Sequence, residues 1–331
     1  MEAVVASRIG GKRPSKLLVA ILEKYLRVDF LNSLFDDDKR GVDCLNGIIG
    51  RLGVTFSVKG LDDVPNDGRR YVFASNHPLG GIDGLIESAL IASRFPDSPF
   101  RCQVNDFLMS LSPLSDLFIP ISKTGAQSRD LPQLLDSHYA GEEQILVFPA
   151  GLCSRRINGL VRDLPWKKTF VQKGVPNGRW IVPVFFKGRN SSRFYRVAAL
   201  CARLGLKFNL AMTLLPDEVY RGRGKHYEVV FGKPIPPSYF DDSKTPEQWA
   251  AWLRDEVYRM GAAGPGRGTG SELRFDVVVV AVRGISRHKL PDKTGEKEHQ
   301  ACKNRRKRKV EQRLVRDGAV NPSGVLGREL G

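Results

Sequence analysis

The chain has 331 residues, 41% of them hydrophobic, enough to bury a full core in one large domain or two ordinary ones. Its five cysteines are scattered and odd in number, without CxxC spacing, which argues against a disulfide framework and for a reducing, cytoplasmic setting. The formal net charge is +16, half of it in residues 262–331, where 16 Lys and Arg face 8 Asp and Glu. Body and tail therefore both favour anionic partners: acidic lipid headgroups, phosphorylated substrates, acidic carrier proteins or nucleic acid.

No apolar run approaches the ~20 residues a membrane-spanning helix needs. The stretch from Gly10 to Pro14 interrupts the first apolar residues before a signal-peptide core forms. Residues 15–35 read as a helix, with Leu18, Ile21, Leu22, Tyr25, Leu26 and Val28 toward one side and Lys16, Glu23, Lys24 and Arg27 on the other. Such a helix either packs on the core or lies on a bilayer surface. Residues 1–40 thus form an N-terminal helical segment. A short helix at 46–52 and an alternating strand at 54–60 follow.

The most informative stretch is 71–85. A buried-type strand, Tyr71 to Ala74, stops at Ser75 and Asn76, turns through His77-Pro78 and Gly80-Gly81, and restarts as a helix at Gly84 that Phe95-Pro96 closes. A histidine and an aspartate sit at the two ends of this turn. Histidine takes a proton near neutral pH, and a nearby carboxylate fixes its tautomer and stabilises its charged form. Asp83 also suits the cap of the following helix, a role compatible with accepting from an imidazole.

Further on, residues 105–111 read as a short helix, 118–121 as a strand with Lys123 in its exit loop, and 132–139 as a helix stopped by Gly141. A buried strand at 145–148 leads into Pro149-Ala150-Gly151. Residues 180–186, 208–215 and 226–231 read as strands. Thr245 and Gln248 form a capping box around Pro246 for a helix ended by Gly261. Strands interleaved with helices argue an α/β domain, a mixed sheet flanked by helices, over 41–261. Residues 262–331 read as a basic, mostly disordered tail with a strand-like run at 275–282 and the cluster Lys303 to Lys309.

Candidates for contacting substrate are Asn76, Gly80 and Gly81 at the turn, Lys123 after the second motif, and Gly151, Ser154, Arg155 and Arg156 after the third. Guanidinium forks and backbone N–H groups there suit a phosphate or carboxylate. No His, Cys and carboxylate cluster has metal-ligand spacing. Cys153 paired with His77 offers an alternative covalent route, and the basic cluster at 303–309 offers a nucleic-acid-binding role, though without a recognition motif beside it.

Taken in order, Asn-His-Pro-Leu-Gly-Gly-Ile-Asp-Gly, Phe-Ile-x-x-x-Lys, Phe-Pro-Ala-Gly-x-x-Ser and Ile-Val-Pro-Val resemble the four blocks of the glycerolipid (lysophospholipid) acyltransferase family over residues 45–240. The resemblance implies acyl transfer from an acyl-carrier-protein or coenzyme A thioester, with no further cofactor, to a lyso-lipid hydroxyl at the inner face of an anionic membrane. It places the general base on His77 and its partner on Asp83. Glycine N–H groups near Gly80, Gly81 or the helix start are expected to stabilise the oxyanion. Five residues separate His77 from Asp83 where the family usually has four, Ala150 replaces a customary Glu, Cys153 a customary Arg, and the second block lacks its Arg. The His-Pro-Leu-Gly-Gly variant resembles acyltransferases linked to bacterial ornithine- or glycine-type aminolipids, whose acceptor carries a carboxylate. An N-acyltransferase forming an amino-acid lipid is the neighbouring alternative.

Overall fold

The computed structural model describes residues 23–24, 26–35, 38–105, 108–109, 111–121, 131–205 and 210–262. In chain order the elements are α1 (Val28–Ser33), α2 (Gly41–Leu52), β1 (Thr55–Lys59), β2 (Tyr71–Ser75), α3 (Ile82–Arg94), β3 (Phe100–Asn105), β4 (Phe118–Ile121), α4 (Leu131–Ala140), β5 (Gln144–Val147), β6 (Arg155–Ile157), β7 (Leu160–Arg162), α5 (Thr169–Gly174), β8 (Trp180–Lys187), α6 (Ser192–Arg203), α7 (Leu215–Arg221), β9 (His226–Phe231) and α8 (Pro246–Ala262). Short 3-10 turns occupy Ser112–Leu117, Leu210–Leu214 and Pro237–Tyr239.

A seven-stranded mixed sheet runs in the order β1-β9-β8-β2-β5-β3-β4. β8, β2, β5, β3 and β4 are mutually parallel, while β9 meets β8 antiparallel and carries β1 parallel to itself. Alternation puts Tyr71 and Phe73 of β2 on one face and Val72 and Ala74 on the other. The first face packs with Leu45, Ile48 and Leu52 of α2 and Ile82, Ile86 and Ile91 of α3. The second packs with Leu135 and Tyr139 of α4, Phe170 of α5 and Trp249, Leu253 and Val257 of α8. Central β2 is consequently buried along its whole length, as a strand covered by helices on both faces must be. β2 and β5 end at the same edge, where parallel α/β sheets gather their sites.

Four sequence expectations change. Residues 15–35 are not one helix: the chain turns at Leu26 and Arg27, where Arg27 has φ 50°, and α1 restarts after it. Arg27 is held there by Asp217, 2.6 Å away, and by the face of Tyr220. The apolar residues Phe30, Leu31 and Phe35 pack on the core. Residue 105 ends a strand instead of starting a helix, because Phe100 and Cys102 alternate inward with half-exposed neighbours. The short apolar run 208–215 is 3-10 and then α-helical over its described residues, packing Ala211 and Leu214 against Phe194 and Tyr195; such runs do not distinguish strand from helix by periodicity. The fourth change is addition: the β6–β7 hairpin, α5 and α6 carry no expectation. The capping box is present, with Thr245 N donating to Gln248 Oε1 at 2.8 Å and Gln248 N to Thr245 Oγ1 at 3.3 Å. The runs at 275–282 and 303–309, Lys123 and residues 1–22 lie outside the described residues. Among the described residues no helix is long and apolar enough to cross a membrane.

One buried cation ties the sheet to its flanking helix. Arg179, fully enclosed before β8, donates to the carbonyls of Tyr139, Glu143 and Gly141 at 2.6 Å, of His138 at 3.0 Å and of Tyr71 at 3.4 Å. It caps the C-terminus of α4, whose last carbonyls have no intrahelical partner. Burial lowers its pKa to about 10, so it remains charged at neutrality. Arg179→Leu leaves these acceptors unsatisfied and is expected to cost about 3 kcal/mol or more in urea unfolding; a loss under about 1 kcal/mol contradicts this capping role.

Candidate active site at the end of the second strand

The β2 main chain leaves the sheet at Asn76. Its side-chain amide takes over the pairing: Nδ2 donates to Phe186 O at 2.9 Å and Oδ1 accepts from Phe186 N at 2.7 Å. Asn76 is thus a buried clamp to β8, with both amide atoms engaged by backbone where a substrate contact was expected. The next residue is His77. The β2–β5 register, Ala74 opposite Val147, brings Phe148 beside the exit, and its ring stacks on the imidazole with centroids 4.1 Å apart.

His77 Nδ1 lies 3.0 Å from Asp83 Oδ2. The approach is off the ring N–H axis, so the contact is close but poorly aligned as a hydrogen bond. With Nδ1 turned inward, Nε2 faces outward from a side chain that is 19% exposed.

Asp83 is fully buried on the first turn of α3. Its Oδ2 accepts from Leu79 N at 2.8 Å and Gly80 N at 3.2 Å, and its Oδ1 from Gly81 N at 2.9 Å and Gly84 N at 3.0 Å. Burial alone pushes this carboxyl up, but the His77 ring and the converging N–H groups outweigh it and hold it below the usual range. This corrects the expectation for the glycines: the N–H groups of Gly80 and Gly81 serve the carboxylate and are not directed at an oxyanion. Gly80 has φ 78° and a Cβ there would press on Leu215 at 3.1 Å, so the turn strongly favours glycine.

A second acid braces the turn from below, and no motif in the sequence marks it. Asp163, just after β7, is fully buried and accepts from His77 N at 3.2 Å, Ser154 Oγ at 2.6 Å and Trp166 Nε1 at 2.9 Å. Ser154 N returns a bond to His77 O at 2.7 Å. The histidine backbone and the Phe148–Ser154 loop are therefore locked together, with Ser154 a strut whose hydroxyl is already engaged. Burial raises the Asp163 pKa against these donors.

Glu87 sits one helical turn beyond Asp83, on the same face, a spacing that makes it findable in the sequence. Ser75 Oγ lies 2.7 Å from Glu87 Oε1 and 3.0 Å from Asn76 O. One hydroxyl proton serves one of these acceptors; a protonated Glu87 donates to Ser75 Oγ and frees the serine proton for Asn76 O. Burial drives the Glu87 pKa well up, with Asp83 and Asp163 adding to it against the Ser75 bond. Two neighbouring carboxyls are thereby pushed apart, Asp83 downward and Glu87 upward.

The remaining candidates are dispersed. Arg155 Nη1 folds back onto Cys153 O at 2.6 Å, and its guanidinium lies over Phe194. Arg156 is exposed beside Tyr195. Gly151 turns the chain at φ 69°. Cys153 is 1% exposed and its thiol pKa is raised by burial despite Arg155, which disfavours the thiolate a covalent route needs. A cavity of about 260 Å³ reaches Asn76 and Ser154 from the α8 side. A wider cleft of about 520 Å³ opens beside Leu79 and Ile82, lined by Lys187, Arg189, Arg221 and Lys225 with Glu218.

A family model described as Acyltransferase matches residues 32–261. The Lyso-glycine lipid O-acyltransferase of Bacteroides thetaiotaomicron is 45% identical over 247 residues, covering 74% of this chain and 90% of that protein. The protein of the same name from Phocaeicola vulgatus is 42% identical over 264 residues, covering 78% and 94%. Among solved structures, the 1-acyl-sn-glycerophosphate (LPA) acyltransferase PlsC from Thermotoga maritima superposes with a TM-score of 0.41 at 15% identity, over 76% of this chain and 99% of that one; a likeness at that score carries no argument.

The split carboxyls yield a pH test. Because Glu87 titrates higher folded than unfolded, the native state keeps a proton that the unfolded chain releases above about pH 4.5, and the contribution of Glu87 to stability falls as pH rises through that window. Glu87→Gln keeps the hydrogen-bond chain without the charge. Its stability relative to wild type is expected to grow between pH 5 and pH 8 in denaturant titrations; a relative stability that is flat or declines over that range refutes a neutral Glu87.

Proposed function

Because the chain belongs to the acyltransferase family, we propose that it transfers a fatty acyl group from an acyl-carrier-protein or coenzyme A thioester to the hydroxyl of a lyso-lipid with an amino-acid headgroup, glycine foremost. The observation that carries this reading is His77 with Nδ1 against a buried, charge-holding Asp83 and Nε2 turned outward. The two relatives named Lyso-glycine lipid O-acyltransferase supply the acceptor class and favour a hydroxyl over an amine. In the cleft beside Leu79, Arg189 and Lys225 suit an anionic headgroup such as a carboxylate, while Lys187 and Arg221 are paired with Glu228 and Asp217.

In this mechanism Nε2 removes the acceptor proton as the alkoxide oxygen attacks the thioester carbonyl. Asp83 stabilises the imidazolium that forms, and the ring returns the proton to the departing thiolate. Phe148 restricts ring rotation, and Asp163 fixes the backbone from which the ring projects. The reaction takes place at the surface of an anionic membrane, on the cytoplasmic side. The nucleic-acid reading has no part in it, since residues 32–261 carry the family match.

Labelled acyl thioesters, supplied with phosphate-headed and amino-acid-headed lyso-acceptors, test the reading. The expected product is an ester on the hydroxyl of the glycine-headed acceptor, and His77→Ala is expected to lower kcat by about 10²–10⁴-fold without changing the circular dichroism. Exclusive transfer to the phosphate-headed acceptor, an amide product, or undiminished turnover in His77→Ala contradicts it.

A further inference from the structure

The β6–β7 hairpin and the outer face of α6 share a composition of exposed aliphatics among arginines. Ile157 and Leu160 pair across the hairpin end, joined by Asn158 and Gly159 at φ 50° and 80°, the backbone of a tight two-residue turn. Both project into solvent, 48% and 64% exposed, with no hydrophobic cover. On α6, Phe194, Tyr195, Ala198 and Cys201 point inward, whereas Leu200 and Leu204 just beyond it are 55% and 61% exposed.

Arginines flank these four aliphatics, two of them met by carboxylates from other elements: Arg162 Nη2 lies 3.6 Å from Asp255 Oδ1 and Arg193 Nη1 3.8 Å from Asp217 Oδ2. Arg155, Arg156 and Arg162 flank the hairpin end, and Arg193, Arg196 and Arg203 line α6; neither segment contains an Asp or Glu. Arg155 and Arg162 stand opposite each other in register, with the Arg155 guanidinium turned over Phe194 and that of Arg162 over Tyr258. The two elements are neighbours: the Arg155 and Arg156 guanidiniums lie over Phe194 and Tyr195, and Val161 packs in the same small cluster as Ala198 and Leu214.

We infer that the hairpin end and the outer face of α6 form the surface by which the protein enters the headgroup layer of an anionic bilayer. Aliphatic tips flanked by arginines match such a layer in both chemistries, apolar below and negative above. The hairpin begins at the loop that Asp163 locks to the His77 backbone, so docking there brings the catalytic turn to the lipid surface. The inference rests on the reading of a lipid acceptor, but vesicle binding is scored without any acyl transfer. A chain that binds vesicles and yields no ester refutes that reading alone.

The test is partition of the full chain onto mixed phosphatidylcholine–phosphatidylglycerol vesicles against pure phosphatidylcholine. Leu160→Asp with Leu204→Asp is expected to lower the partition coefficient on the mixed vesicles by about tenfold or more. Leu160→Trp is expected to raise it while leaving the circular dichroism and the urea unfolding midpoint unchanged, which separates the gain from misfolding. Unchanged partition in both variants overturns the inference. So does a wild-type dimer in sedimentation that the double variant converts to monomer, since the surface then belongs to a second copy.

Discussion

Four backbone N–H groups converge on one buried carboxylate, and the rest of the site is arranged around that convergence. A carboxylate enclosed without donors surrenders its charge by taking a proton. Asp83 keeps its charge because the turn from Leu79 to Gly81 curls back over it, and that curl places Gly80 at a positive φ that favours glycine. The five-residue spacing from His77 is absorbed here. The same convergence removes the glycine N–H groups from the list of oxyanion donors, so the turn works as a carboxylate cradle rather than as an oxyanion hole.

A fixed carboxylate is useful only if the imidazole is fixed as well. Three supports reach His77 from different directions: Phe148 against the ring face, Asp163 on its N–H and Ser154 on its carbonyl. All three come from the segment following β5, which register places beside β2. Asn76 performs the complementary task toward β8, letting β2 end abruptly without breaking its pairing. Buried polar groups in this region are numerous, and most have partners; their cost in desolvation is offset by a turn that cannot relax into other shapes.

Much of this was legible in the sequence, for a physical reason that also explains the failures. β2, β5, β8 and β9 are apolar runs bounded by turn residues, and the capping box before α8 has a local cause, so both could be read locally. The His77–Asp83 pair was visible because its two residues lie on one turn. Asp163 was not: its partners are 86, 9 and 3 residues away, and only the tertiary fold brings His77 to it. Asn76 and Ser154 were recognised as site residues, yet their side chains proved to be struts, because sequence shows a polar group without showing which backbone will claim it. β3 carries no expectation before residue 105, where its half-buried alternation runs into a helical-looking stretch, and the 208–215 run lacks the length that separates helix from strand.

The central claim is that Asp83 orients the His77 ring, so that its basic nitrogen is the outward one. Nitrogen-15 NMR of the imidazole, recorded above the ring's pKa, reads this directly. The expected result is a neutral ring carrying its proton on Nδ1, toward Asp83, with Nε2 unprotonated. A neutral ring protonated on Nε2 would contradict it, since the nitrogen facing the acceptor would then have no lone pair with which to take a proton.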